Sequence, residues 1–133
     1  MERREVQAWL VVVDRDVKAI RNNLYGPEPE PQMAAYHCQQ AVEKLAKTLL
    51  IAAGMMPPKS HDIDVLVARL PTGHPLAQRI AALAYLTAFI SAPRYPGAGI
   101  FDDPSPDLPI SEVAGWLAEI LALRNIHRFL GLP

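Results

Sequence analysis

Five polar side chains gathered on one side of a helical segment are the chain's first candidates for chemistry. Between residues 34 and 52, Ala34, Cys38, Ala41, Leu45, Thr48 and Ala52 recur at three- and four-residue steps, the spacing of one helical face. His37, Gln40, Glu43, Lys44 and Lys47 collect on the other side. Lysines supply point charges for a phosphate, and a glutamine amide can read a base or ribose edge. The same groups suit contacts to the backbone of a neighbouring turn or to a second subunit, and residue types alone leave both roles open.

Three further places carry suitable groups. His61, in Pro57-Pro58-Lys59-Ser60-His61-Asp62, opens a short helix whose first backbone N–H groups favour an anion. It could join Lys59 at a phosphate or hold the turn by bonding to the second helix. Arg94 and Tyr95 offer a guanidinium and a ring for a phosphate and a base, or Arg94 could clamp a carboxylate such as Glu43. Arg124 and His127 are three apart and therefore neighbours on a helix. They could act as phosphate stabiliser and acid/base group, or simply complement the negative end of the last helix. Asp102, Asp103 and Asp107 read as an acidic, proline-rich surface loop rather than a cation site. There is no glycine-rich phosphate loop, no Cys/His metal spacing and no triad signature, so no cofactor and no metal are expected.

Composition narrows the classes further. The 133 residues are half hydrophobic and one-fifth charged, ordinary for a globular domain with its own core. A net charge of −1 supplies no global attraction for nucleic acid, so any such ligand must be met by local clusters. The lone cysteine, Cys38, excludes an intramolecular disulfide and reads as a small buried hydrophobe. Asp14, Arg15, Asp16 and Lys18 interrupt the Trp9–Val13 apolar patch far short of a spanning length. No membrane contact and a cytoplasmic location are expected.

The elements that must position these groups are all helical. Val6, Trp9, Leu10, Val13, Val17, Ile20 and Leu24 define a first amphipathic helix over about 4–24, ended by Gly26-Pro27-Glu28-Pro29-Glu30-Pro31. A second runs over about 32–53, with Gly54 as its stop and Pro57-Pro58 preventing continuation. Ser60 is placed to cap a short third helix bearing Ile63, Leu66, Val67 and Leu70. A fourth is expected over 75–91, and a last from near Ser111 carrying Val113, Trp116, Leu117, Ile120, Leu121 and Leu123. Nearly twenty aperiodic, proline-rich residues separate these two. The expectation is an all-α, up-and-down four-helix bundle with one short extra helix, spanning residues 1–133 as a single domain.

The separated pieces together resemble a HEPN domain, the helical module found beside minimal nucleotidyltransferases in many microbes. Trp9 and Asp16 match its first helix. His37-Cys38-Gln39-Gln40-Ala41-Val42-Glu43-Lys44, continued by Lys47, is similar to the family's strongest segment. Pro57-Pro58-Lys59-Ser60-His61-Asp62 with Leu66 resembles its Pro-Pro-Lys-Thr-His-Asp turn, and Arg94-Tyr95-Pro96 its Arg-Tyr-Pro element. The resemblance implies a homodimer, a separate minimal nucleotidyltransferase as partner, a nucleotide or RNA as ligand, and a role in a toxin–antitoxin-like pair. It also offers metal-independent ribonuclease activity, through an Arg and a His with four to six residues between them near the final helix, or a nucleotide-sensing role. Here the chain departs from the family: Arg124 and His127 have two residues between them, and Arg69 and His74 span a proline-glycine turn in mid-chain.

Overall fold

The computed structural model describes residues 2–89 and 108–126. Arg94, Tyr95 and His127, with the acidic proline-rich run, lie outside the described residues. Among the described residues every regular element is helical, as the periodicities require. Helix α1 (Glu2–Tyr25) and helix α2 (Pro31–Ala52) form the principal pair. Helix α3 (Ile63–Ala68) and helix α4 (Ala77–Ala81) are short, a 3₁₀ segment follows at Ala84–Phe89, and helix α5 (Ile110–Arg124) packs on both α1 and α2.

Each boundary has a local cause. Gly26 donates to the Asn22 carbonyl (3.1 Å), and a Cβ there would run into that same oxygen, so only glycine fits. Glu30 N–H donates to the Asn23 carbonyl (2.7 Å), and Pro31 opens α2 where its missing N–H costs nothing. At the other end Gly54 adopts φ +79°. Its N–H reaches the Ile51 carbonyl, and Met55 N–H reaches that of Leu50, both at 2.9 Å. This paired closure satisfies the last carbonyls of the helix. The expected cap of α3 is displaced by two residues. Asp62 caps it by accepting from Asp64 N–H (2.9 Å), while Ser60 Oγ accepts from Asp62 N–H (3.1 Å).

The single helix expected over 75–91 is not what forms: a five-residue helix gives way to the 3₁₀ segment. The reason lies in the apolar spacing. Ile80, Leu83, Leu86 and Phe89 are each three apart. In an α-helix every such step drifts by ~60°, whereas three residues per turn keeps them in one line. Leu86 and Phe89 fall within the 3₁₀ segment, and Leu86 is buried with Ile80 of α4 and Leu83 of the turn between them.

The core is drawn from every element, with Val13, Ile20, Cys38, Leu45, Leu66, Leu86 and Ile120 wholly buried. Trp116 belongs to this core, with Tyr85 and Phe89 rings beside it at centroid distances of 6.0 and 5.7 Å. On the surface Arg79 forks onto Glu119 (2.8 and 3.1 Å), joining α4 to α5. No helix among the described residues is long and apolar enough to cross a membrane.

Candidate functional site

Helix α2 is packed on several sides, by α1, α5, α3 and the 3₁₀ segment. Its polar stripe is accordingly not a solvated surface. Glu43 is 3% exposed, Gln39 fully buried, and Asp16, contributed by α1, 6% exposed. A charge taken from water is tolerated only when paired and hydrogen-bonded. Two carboxylates organise the stripe on that principle, each taking one lysine and one histidine.

Asp16 is the first centre. Its Oδ2 accepts from Lys44 Nζ at 2.7 Å, and its Oδ1 lies 3.0 Å from His37 Nδ1. Glu43 is the second. Lys47 Nζ donates to its Oε2 (3.0 Å), Gln39 Nε2 to its Oε1 (3.1 Å), and His61 Nδ1 sits 3.1 Å from both oxygens. A carboxylate only accepts, so Nδ1 of each imidazole is the donor and the ring's Nε2 faces away from the carboxylate. The glutamines continue the chain of bonds: Gln40 Nε2 donates to Gln39 Oε1 (2.7 Å), and Gln39 Nε2 also reaches the His61 carbonyl (3.3 Å). Among the described residues no buried side-chain nitrogen or oxygen is left unpartnered.

The two centres differ in reach. The Asp16 group ties α1 to α2. The Glu43 group ties α2 to the Lys59–Asp62 turn, where the His61 side chain remains 68% exposed. His37, Lys44 and Lys47 are partly covered, with exposures of 24, 20 and 12%. His37, Gln40, Glu43, Lys44, Lys47 and His61 are thus brought together along one side of α2, and Lys59 stands exposed beside them. His61 makes the contact to helix α2 through Nδ1. Lys47, Gln39 and His61 hold Glu43, while Arg94, which reads as a phosphate contact or as a clamp on such a carboxylate, is outside the described residues. Cys38 lies fully buried on the opposite stripe. Burial first, and then the negative charge of Asp16, push its thiol up to about 12, so it is no nucleophile at neutral pH.

Arg124 is elsewhere. Its fork holds Asp14 of α1 in two bonds, Nε at 2.8 Å and Nη2 at 3.0 Å. Those hydrogen bonds, against a smaller opposing effect of burial, raise its already high pKa. Asp14 and Asp16 are two positions apart, about 200° around a helix, so α1 turns one carboxylate toward α2 and the other toward the end of α5.

Asp16 and Gln39 are missing from the first set of candidate ligands, although the sequence carried a signal for both. Asp16 falls on the Val13-Val17-Ile20 stripe and Gln39 on the line of Ala35, Val42 and Ala46. A polar residue at a core-facing position must have a partner. The Asp14–Arg124 pair had no such signal, since its members are 110 positions apart.

No curated protein and no solved structure matches the chain significantly. A family model, the HEPN domain, matches residues 6–108, which take in α1 beyond its first turn, α2 to α4, the 3₁₀ segment and both carboxylate centres, and end before α5 begins. That span is most of the 133 residues, and the chain belongs to the HEPN domain family.

Proposed function

We propose that the chain works as a homodimeric interaction and nucleotide-binding module, paired with a separate minimal nucleotidyltransferase in a toxin–antitoxin-like system. The observation that carries this reading is the state of the cations on α2. Lys44 and Lys47 are each committed to a buried carboxylate, and both histidines are held through Nδ1. Neither ammonium is then a free point charge for a substrate phosphate. A face whose side chains are already locked suits docking instead, because little side-chain entropy remains to be lost on association. Family membership supports the nucleotide or RNA connection. The fork of Arg124 on Asp14 weighs against its service as a free phosphate stabiliser in RNA cleavage.

The test is affinity purification of the tagged full chain from its native host, with mass spectrometry of what is retained. A nucleotidyltransferase-class protein in stoichiometric amount is expected, and a His61→Ala/Lys47→Ala variant should lose it. Recovery of the chain alone would overturn the partner assignment. RNA cleavage in EDTA that falls by orders of magnitude in Arg124→Ala would replace this reading with the ribonuclease one.

A further inference from the structure

The outer face of α1 carries a line of exposed side chains. Arg4, Val11, Lys18 and Tyr25 recur every seven residues, with Ala8, Arg15 and Asn22 between them. The steps alternate four and three, the spacing that keeps one helix against a partner helix wound left-handedly round it. From Arg4 to Tyr25 the line runs ~31 Å, at ~1.5 Å per residue. Val6, Leu10, Val13 and Val17, on the opposite side of α1, are buried in the core, so this line is not the seam on which α2 or α5 packs.

Two features decide what the face fits, and the first is charge. Arg4, Arg15 and Lys18 lie on the line and Arg21 flanks it. None of the four makes an ion pair among the described residues. The line itself contains no carboxylate. Asp14, one turn before Lys18, is held in the Arg124 fork, and Glu5 lines a hollow with Met55 and Pro57 at the end of α2. The face is therefore positive in a chain of net charge −1, and an acidic partner is steered to it.

The second feature is an apolar interval. Between Arg4 and Arg15 the line offers only Ala8 and Val11, the latter 51% exposed, and it ends on Tyr25, 64% exposed. A phosphate backbone, charged at every unit, finds no cation over that interval. An amphipathic helix fits it, because apolar positions meet Ala8, Val11 and the Tyr25 ring while flanking carboxylates reach the cations. The described helices of this chain supply no such partner. Helix α3 presents Asp64 alone, and α5 presents Glu112 and Glu119, the second already in the Arg79 fork. A second copy of α1 would set cations against cations.

We propose that the outer face of α1 docks an acidic amphipathic helix of another protein, its apolar residues on Ala8, Val11 and Tyr25 and its carboxylates on Arg4, Arg15, Lys18 and Arg21. The seam shares no residue with the Asp16 and Glu43 centres and goes beyond the role given to α2. One helix laid on one helix buries less than a standard interface of ~1,600 Å², so the affinity expected is micromolar.

Calorimetric titration of the full-length protein tests it. The probe is a synthetic four-heptad peptide with leucine at its a and d positions and glutamate at e and g. Saturable micromolar binding is expected, weakened at least tenfold in Arg15→Glu/Lys18→Glu and severalfold in Val11→Asn/Tyr25→Asn. It should be unchanged in Arg69→Glu, an exposed charge-matched control at the end of α3. The same peptide with lysine in place of glutamate should not bind. No saturable binding at ~100 μM peptide, or equal affinity in the parent and either double variant, would overturn the proposal. Polyglutamate or a single-stranded oligoribonucleotide binding as tightly as the peptide would overturn it in favour of a general polyanion surface. A halved mass by light scattering in Arg15→Glu/Lys18→Glu would put a second copy on the seam instead. The substituted residues are all exposed, so circular dichroism of each variant should match the parent. Retention of the nucleotidyltransferase-class partner by the charge-reversed variant separates this test from the one on the α2 face.

Discussion

Glu43 is where single-residue energetics are most exposed to measurement. Its carboxylate is buried and draws hydrogen bonds from Lys47, Gln39 and His61. Removing it with Glu43→Ala strands a largely buried lysine, and breaking such a pair costs about 3–5 kcal/mol. His61→Ala removes a ring that is mostly in water, and an exposed partner of this kind contributes ~1 kcal/mol or less. Urea denaturation should therefore rank the two variants far apart, and equal losses would show that Glu43 is not the centre of the network. Cys38 gives a second measurement at this scale. With the folded thiol at about 12 against 9.0 for an unperturbed one, the unfolded chain releases its proton first as pH rises. The stability associated with this group is intact below pH 9 and is lost progressively toward pH 12. Alkylation at pH 8 should be slow in the native protein and rapid after unfolding; fast native labelling would contradict the burial. His37, Gln40, Lys44 and Lys47 could be read as one group from spacing alone, because a helix fixes the neighbours of each residue. Gln39 and Glu43, which partner Gln40 and Lys47, share that helix, whereas Asp16, which holds His37 and Lys44, arrives from α1 and no spacing within α2 points to it.

Helix ends and the one broken helix show what an element needs beyond its hydrophobic period. The limits of α1 and α2 were legible because proline and glycine act locally, as at Pro31 and Gly54. The stretch after Pro75 reads as one long helix because apolar positions at three- and four-residue steps look alike over a short span. The three-residue step from Leu83 through Leu86 to Phe89 is the local sign of the 3₁₀ segment, which sets Phe89 beside Trp116. The turn between α1 and α2 offers a direct test. Gly26→Ala would push a methyl group against the Asn22 carbonyl, and relieving the overlap should cost on the order of 1–3 kcal/mol. A thermal melt in which this variant equals the parent would show that the turn relaxes freely.

At the scale of the described residues, α1 and α2 form the principal pair, α5 packs on both, and α3 and the 3₁₀ segment pack on α2. The all-α class follows directly from the sequence, since no stretch alternates at the period of a strand. What the sequence does not reveal is that α2 lies so deep that its polar stripe becomes an internal network, because burial depends on how many neighbours gather round a helix. Homodimerisation belongs to this scale too. Val11, Tyr25 and Met56 are large apolar residues left exposed, at 51, 64 and 90%, and Trp116 is not among them. Light scattering should return twice the 14.7 kDa of one chain, and a value of 14.7 kDa at micromolar concentration would remove the dimer from the proposed function.

The clamp between Arg79 and Glu119 bears on how the chain could be cut. Its members are 40 positions apart, on either side of residues 90–107. The ion pair is partly exposed and adds little to stability, though it links α4 to α5. The holding force comes from Val113, Trp116, Leu117, Ile120 and Leu123, all buried. The buried face of α5 is matched by residues of α1 and α2, which precede that interval in the chain. A gene divided within that interval would encode two fragments whose reassembly is written into the surfaces they already share.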